Sequence, residues 1–261
     1  DLYMTDAEGW TVLHIASQHG HHEVLDRILS DTKWKSDVDS ITKSGDTPLH
    51  FAARGGHVPV VQVLFRHHLN ISMNILNDKC RTPLYLACKK NRFDVIQLLL
   101  THPDISVNQP NARGTTALHF AAHEGFADVV GLLLDCAAID VNKTNDAGCS
   151  ALYIASGRGH VSVVKKLVNH ISVEVNLVVE PNRHDTALHV ACKSGKSNVV
   201  RELLRHPKIN LSQLKQDGTT ARMLALKGNH FEVIRLLDGH EQQIEVSDAT
   251  TTISDINRAL V

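Results

Sequence analysis

Thr47-Pro48-Leu49-His50-Phe51-Ala52 is the stretch from which the fold of this chain is read. Threonine ahead of an apolar turn is a good helix N-cap, because its hydroxyl accepts one of the amides that the first turn leaves unpaired. Proline follows at the helical position that needs no N–H. Leu49 and Ala52 begin an apolar face, and Gly56, comfortable at positive φ, ends the helix about two turns on. One short amphipathic helix is therefore written here with its start and its stop.

The same phrase returns along the chain. Its anchors are Thr11, Thr47, Thr82, Thr116, Ser150, Thr186 and Thr220, spaced by 36, 35, 34, 34, 36 and 34 residues. Nine residues past each anchor stands Gly20, Gly56, Asn91, Gly125, Gly159, Gly195 or Asn229. A second apolar stripe with helical spacing comes next, as in Val129-Val130-x-Leu132-Leu133-Leu134 and Val199-Val200-x-x-Leu203-Leu204. Each unit thus reads as a pair of short antiparallel helices plus a connection. Helices this short are marginal alone in water, so each unit must bury its apolar face on its neighbours.

This recurring phrase resembles the ankyrin repeat, whose signature is T-P-L-H-x-A at a period of about 33 residues. The resemblance covers residues 1–238, with 239–261 as a C-terminal extension. It is in register throughout but not uniform. Tyr85 and Tyr153 replace the histidine, and Arg222 and Met223 stand where leucine and histidine belong, as suits a terminal unit facing water. The fold implied is all-α, a solenoid of seven helix-pair units joined by short β-hairpin loops. Hairpin tips in such arrays carry D-x-x-G, as in Asp6-Ala7-Glu8-Gly9. Cys80 and His184 take the glycine's place, which predicts positive φ at both, and the extra residues Leu177–Glu180 predict a bulged hairpin. Asp1-Leu2-Tyr3 parallels Asp140-Val141-Asn142, the close of a repeat, so the sequence reads as a longer array cut on its N-terminal side.

Composition narrows the function. The 261 residues carry 27 basic and 28 acidic side chains, which gives no general argument for nucleic-acid or membrane-surface binding. No apolar run approaches the roughly 18–20 residues that span a bilayer, and the first residues do not read as a secretory signal. Five cysteines without a C-x-x-C pair point to a reducing intracellular setting, cytoplasmic or nuclear, rather than a disulfide framework. Cys88 and Cys192 occupy a small-residue core position, and Cys149 beside a hairpin tip is the thiol expected to be most exposed.

The eighteen histidines raise the question of zinc. Eight sit at repeat positions, in T-x-L-H and in the Gly-His step, where a ring is expected to bond local backbone. His67, His102, His170, His206 and His240 close the second helix, where they are expected to meet free carbonyls. Copies in adjacent units should lie about 10 Å apart, too far to share a metal. His19-x-His21-His22 lacks a third kind of ligand. No metal or cofactor is expected, and no catalytic motif is present: Gly157-Arg158-Gly159 follows no strand and lacks a third glycine.

Specificity in so regular a scaffold must lie in the positions that vary, which the resemblance places at the hairpin tips and first-helix ends lining the concave face. Those positions hold eleven basic residues and seven acidic ones, and the basic charge peaks around the third anchor. Lys79, Arg81, Lys89 and Lys90 sit there, flanked by Arg54, Arg113 and His123; Trp10 is a separate anchor candidate. The expectation is a non-catalytic, monomeric scaffold that binds a protein partner, with an acidic or phosphorylated segment in this groove. The alternative is a regulatory ankyrin segment of a larger enzyme, channel or signalling protein. The resemblance further implies asparaginyl hydroxylation at Asn108 and Asn142, each with a leucine eight residues upstream (Leu100, Leu134). The acidic extension is a further candidate for the basic groove, by self-docking.

Overall fold

In the computed structural model the chain forms two compact units, Asp1–Asp146 and Ala147–Val261. The structure describes residues 5–31, 38–67, 71–179 and 184–242. Asp1–Tyr3, Asn70, Glu180 and the extension beyond 242 lie outside them.

The first unit contains four helix pairs: α1 (Val12–His19) with α2 (His22–Leu29), α3 (Pro48–Gly55) with α4 (Val58–His67), α5 (Pro83–Lys89) with α6 (Phe93–Leu100), and α7 (Ala117–Glu124) with α8 (Ala127–Leu134). First helices stack in sequence, α1 on α3, α3 on α5 and α5 on α7; second helices do the same, α2 on α4, α4 on α6 and α6 on α8. The apolar stripes meet between these rows. Leu13, Leu49, Leu64, Leu84, Ile96, Leu99 and Leu133 are fully buried there, each contributing about 1.5–3 kcal/mol of transfer free energy. In the second unit α9 (Ala151–Arg158) pairs with α10 (Val161–Val168), and α11 (Ala187–Lys193) with α12 (Ser197–Leu203). α13 (Ala221–Lys227) stacks on α11, and the chain is helical again over 231–242, past the boundary at 238 read from the repeat period.

The T-x-L-H phrase works as a reciprocal cap. The Thr47 hydroxyl accepts the His50 backbone N–H at 3.3 Å, while the Thr47 N–H donates to His50 Nδ1 at 3.0 Å. His50 Nε2 then donates to the Arg81 carbonyl, one repeat on, at 3.0 Å. A backbone N–H can only donate and a carbonyl can only accept, so the ring is fixed as the neutral Nε2–H tautomer. His14 repeats the arrangement with Thr11 and the Ser40 carbonyl. Burial pushes the pKa values of His14, His50 and His189 below the usual histidine range. The His14 and His50 rings each tie a helix start to the next connection, whereas His189 caps its own helix at Thr186 and its Nε2 is buried without a hydrogen-bond partner among the described residues.

The Gly-His step has its own role. His57 Nε2 donates to the Gln18 carbonyl at 2.9 Å and His230 Nε2 to the Lys193 carbonyl at 3.2 Å, each satisfying the end of the previous first helix. Arg92, standing where a histidine would be, does the same for Arg54 through Nε at 3.2 Å. The histidines closing the second helices behave differently from expectation. His102, His170 and His206 each accept, through Nδ1, the N–H two residues on, because the chain turns back there and leaves an amide nearer than the carbonyls.

The connections are tight tips rather than strand ladders. Asn77 N–H donates to the Arg81 carbonyl, and Cys80 N–H to the Asn77 carbonyl at 2.7 Å. A closure of this length leaves no residues for a ladder, and among the described residues only isolated bridges such as Val179–Asp185 occur. Neighbouring tips join through Lys43 N–H to Glu8 O and Asp78 N–H to Ser44 O. Cys80 and His184 take positive φ (50° and 48°), as their places in the repeat predict. Gly45 (φ 72°) shows why glycine is otherwise used: a Cβ there would lie 2.9 Å from Asn77 Cα.

On the side away from the tips, asparagines clip successive connections together. Asn74 donates to the Asp104 carbonyl and accepts the Ser106 N–H; Asn108 does so with Ala138 and Asp140; Asn176 with Lys208 and Asn210. Asp39 fills the equivalent place earlier in the first unit and only accepts, from Ser72 N–H. In the second unit the final pair is less polar outside than its register suggests. Arg222 pairs with Asp238 at 2.7 Å, yet Met223, Leu226 and Phe231 are exposed.

Candidate functional site

Five of the residues singled out by register, Arg54, Lys79, Arg81, Lys89 and Lys90, come together around one cleft of about 310 Å³ in the first unit. Arg54 leaves the last turn of α3, Lys89 and Lys90 lie at the end of α5, and Lys79 and Arg81 leave the intervening tip. Two carboxylates, Asp46 and Asp78, also line it.

Asp46 is not free to neutralise the group. It is 6% exposed, accepts the Asn77 side-chain N–H at 2.7 Å and the Ser44 hydroxyl at 3.2 Å, and faces Arg54 at 3.6 Å. Arg54 in turn lies over the Phe51 ring, 4.7 Å from its centre. Lys79, Arg81, Lys89 and Lys90 have no carboxylate within ion-pair distance among the described residues. Desolvation, then repulsion from Arg81, Lys90 and Lys79, lowers the pKa of Lys89.

Arg81 is held by its backbone. Its carbonyl accepts from Asn77 N–H and His50 Nε2, and its N–H donates to Asn77 Oδ1. The side chain is left to the cleft: the guanidinium lies 5.7 Å from the Tyr85 ring centre, and its buried Nε has no hydrogen-bond partner. Asn111 donates to the Tyr85 hydroxyl at 3.2 Å, and burial raises the Tyr85 pKa, so the ring stays neutral.

The other register candidates lie apart from this cleft. Arg113 is exposed on the next tip, and His123 faces Glu124 at 2.8 Å. Trp10 is half-buried, with its ring 4.4 Å from Phe51. The Asn108 side chain holds the backbone clip described above, and Asn142 donates its N–H to Asp140. Sequence reasoning missed Asn77, Tyr85 and the burial of Asp46. The usable signal was an acid just before the anchor and an asparagine five before the next one.

The second unit supplies a contrast. Its own cleft, about 630 Å³, is lined by Tyr153, Asp185, His189, Lys193, Lys215 and Asp217 among others. There Lys215 lies 3.2 Å from Asp185 and 3.9 Å from Asp217. Asp185 holds the register position of Arg81, so that lysine's charge is answered from within.

Among the described residues no cluster of three or more His, Cys, Asp or Glu could hold a metal ion. Cys88 and Cys192 are fully buried, and burial alone pushes the Cys192 thiol up to about 12 and that of Cys88 higher still. Cys149 is half-buried, like Cys80 and Cys136. No helix among the described residues is long and apolar enough to cross a membrane.

Comparison with known proteins agrees with the fold. A family profile described as ankyrin repeats (3 copies) matches residues 1–77, 27–111, 69–145, 99–179 and 152–248. The crystal structure of the ankyrin repeat domain of Bcl-3, a member of the IkappaB protein family, superposes with a TM-score of 0.78 at 27% identity, covering 88% of this chain and 99% of that one. A probable 26S proteasome regulatory subunit p28 of Saccharomyces cerevisiae is 31% identical over 99 residues, 38% of this chain and 43% of that protein. Alpha-latrotoxin-Lg1a of Latrodectus geometricus is 29% identical over 97 residues, 37% of this chain and 7% of the toxin. These curated relatives are thus matched over less than half of their length. Ankyrin repeats are in general protein-interaction modules, and their fold is typically non-catalytic. From its repeat register, its capped helix pairs and this profile match, the chain belongs to the ankyrin repeat family.

Proposed function

We propose that this chain is a non-catalytic, monomeric interaction scaffold of the cell interior, cytoplasmic or nuclear, which holds an acidic or phosphorylated segment of a partner protein. The segment lies along the tips of the first unit, with its anionic group in the cleft of Lys79, Arg81, Lys89 and Lys90. Arg54, Arg113, His123 and Trp10 extend that surface. The reading rests on one observation: these four cations gather without a carboxylate partner among the described residues, whereas Lys215 of the second unit has two. Holding like charges together costs energy that an incoming anion returns, and it speeds encounter with an acidic partner.

The test is binding of the intact chain to arrayed acidic and phosphorylated peptides, before and after K89E/K90E. Retained peptides should bind at least tenfold more weakly to the variant and with a shallower salt dependence. Equal binding by both proteins removes the cleft from the proposal. The same scaffold is compatible with a regulatory segment of a larger enzyme, channel or signalling protein, since a cleft of this kind serves either setting. Asn108 and Asn142 are proposed sites of asparaginyl hydroxylation; protein from cells one oxygen atom heavier at either residue is the expected result.

A further inference from the structure

Granted that the cleft holds an anionic segment, we infer that its specific ligand is a phosphorylated side chain of a partner protein rather than a run of carboxylates, with Arg81 as the residue that reads the phosphoryl group. Three observations carry this. The cleft is small, about 310 Å³, a volume suited to one compact anion and its linker rather than to a length of extended peptide. Its charge is concentrated: five cations against Asp46 and Asp78, with Asp46 already engaged by Asn77, Ser44 and Arg54. One carboxylate offsets little of that excess, whereas a phosphoryl group brings about −1.5 to −2 and three acceptor oxygens.

The third observation is the mounting of Arg81. Three main-chain hydrogen bonds fix its backbone, while its guanidinium lies beside Tyr85 with no acid to hold it. A planar fork on a rigid base is the arrangement that gives paired N–H···O contacts to a phosphoryl group. Lys89 and Lys90, one helix end away, add charge from the other wall. Arg81 stands where Asp46 and Asp185 stand in their own repeats, and this reversal of sign within a fixed register gives the first-unit cleft its excess charge.

The experiment uses the whole chain and three immobilised probes: a degenerate library centred on phosphoserine, the same library with glutamate at that position, and single-stranded RNA. Inorganic phosphate serves as a soluble competitor. The expected result is at least tenfold tighter binding to the phosphoserine library than to the glutamate one, loss of the difference on phosphatase treatment, and competition by millimolar phosphate. R81K should weaken phosphoserine binding about tenfold or more, because one N–H contact replaces a fork, and should leave glutamate binding within about twofold. Because the hydrogen bonds of Arg81 are main-chain, R81K should fold as the parent does, checked by far-ultraviolet dichroism; R27K, on α2 and outside the cleft lining, is the control. Equal binding to both libraries, both abolished by K89E/K90E, overturns this inference and leaves the acidic-segment reading standing. Retention of neither library overturns both, and preferential retention of RNA overturns both in favour of a nucleic-acid ligand.

Discussion

Replacing His50 with glutamine separates two jobs that one imidazole performs. Glutamine at this helix position still completes a capping box, since its carbonyl oxygen accepts the Thr47 N–H. It does not titrate, and it gives up the 3.0 Å bond from Nε2 to the Arg81 carbonyl. Loss of that bond costs about 1 kcal/mol, which is the gap expected near pH 7.5. On acidification the gap should close. The pKa of His50 is lowered in the folded chain, mainly by burial, so below about pH 6.5 the unfolded chain binds a proton that the folded chain refuses. The stability His50 brings is therefore complete above its unfolded pKa and drains away as pH falls toward the folded one. While the folded ring stays neutral, the loss approaches about 1.4 kcal/mol per pH unit. The stability gap between the parent and H50Q should therefore narrow as the pH is taken from about 7.5 down through about 6.5 toward about 5. Urea unfolding at a series of pH values, followed by tryptophan fluorescence, measures this for the first unit, because both tryptophans, Trp10 and Trp34, precede residue 147. Parallel stability curves for H50Q and the parent across pH 5–8 would refute the tautomer assignment and the linkage built on it.

Other substitutions probe the scaffold. Ser156 is fully buried with a hydroxyl that has no partner, at a register position filled elsewhere by Ala53 and Ala122; S156A should raise stability by about 1 kcal/mol in urea unfolding. G45A places a Cβ 2.9 Å from Asn77 Cα at a φ of 72° and should cost about 1–3 kcal/mol, read as a lower thermal midpoint. N108A removes both bonds of one clip, to Ala138 and from Asp140, and should cost about 1–3 kcal/mol while speeding amide exchange around residue 140.

Much of the fold lies in short-range signals. The anchor threonine, the proline after it and the glycine or asparagine nine on specify each first helix locally, and the structure has these helices capped accordingly at Thr11, Thr47 and Thr116. The five cleft cations were also legible, because register alone places tip and helix-end positions side by side. What the residues did not disclose depends on partners a full repeat away. Asp46 counts as a surface charge until Asn77, 31 residues on, covers it. Trp10 reads as an exposed anchor until the tilted Phe51 ring of the next repeat packs against it, 4.4 Å between centres. Arg92 gives no sign in its own repeat that it will take over a histidine's task at the Arg54 carbonyl. A single sequence shows each member of such a pair but not the distance between them.

The asparagine clips bear on how the first unit would yield to a mechanical load. Each clip crosses from one connection to the next, so repeats peeled apart under tension must shear it. At Asn74 and Asn108 the amide gives and receives, and two bonds resist together. At Asp39 the carboxylate has no hydrogen to offer and only receives from Ser72. Under an optical trap the earliest rupture in this unit belongs at that junction, and replacing Asp39 with asparagine should move it to higher force.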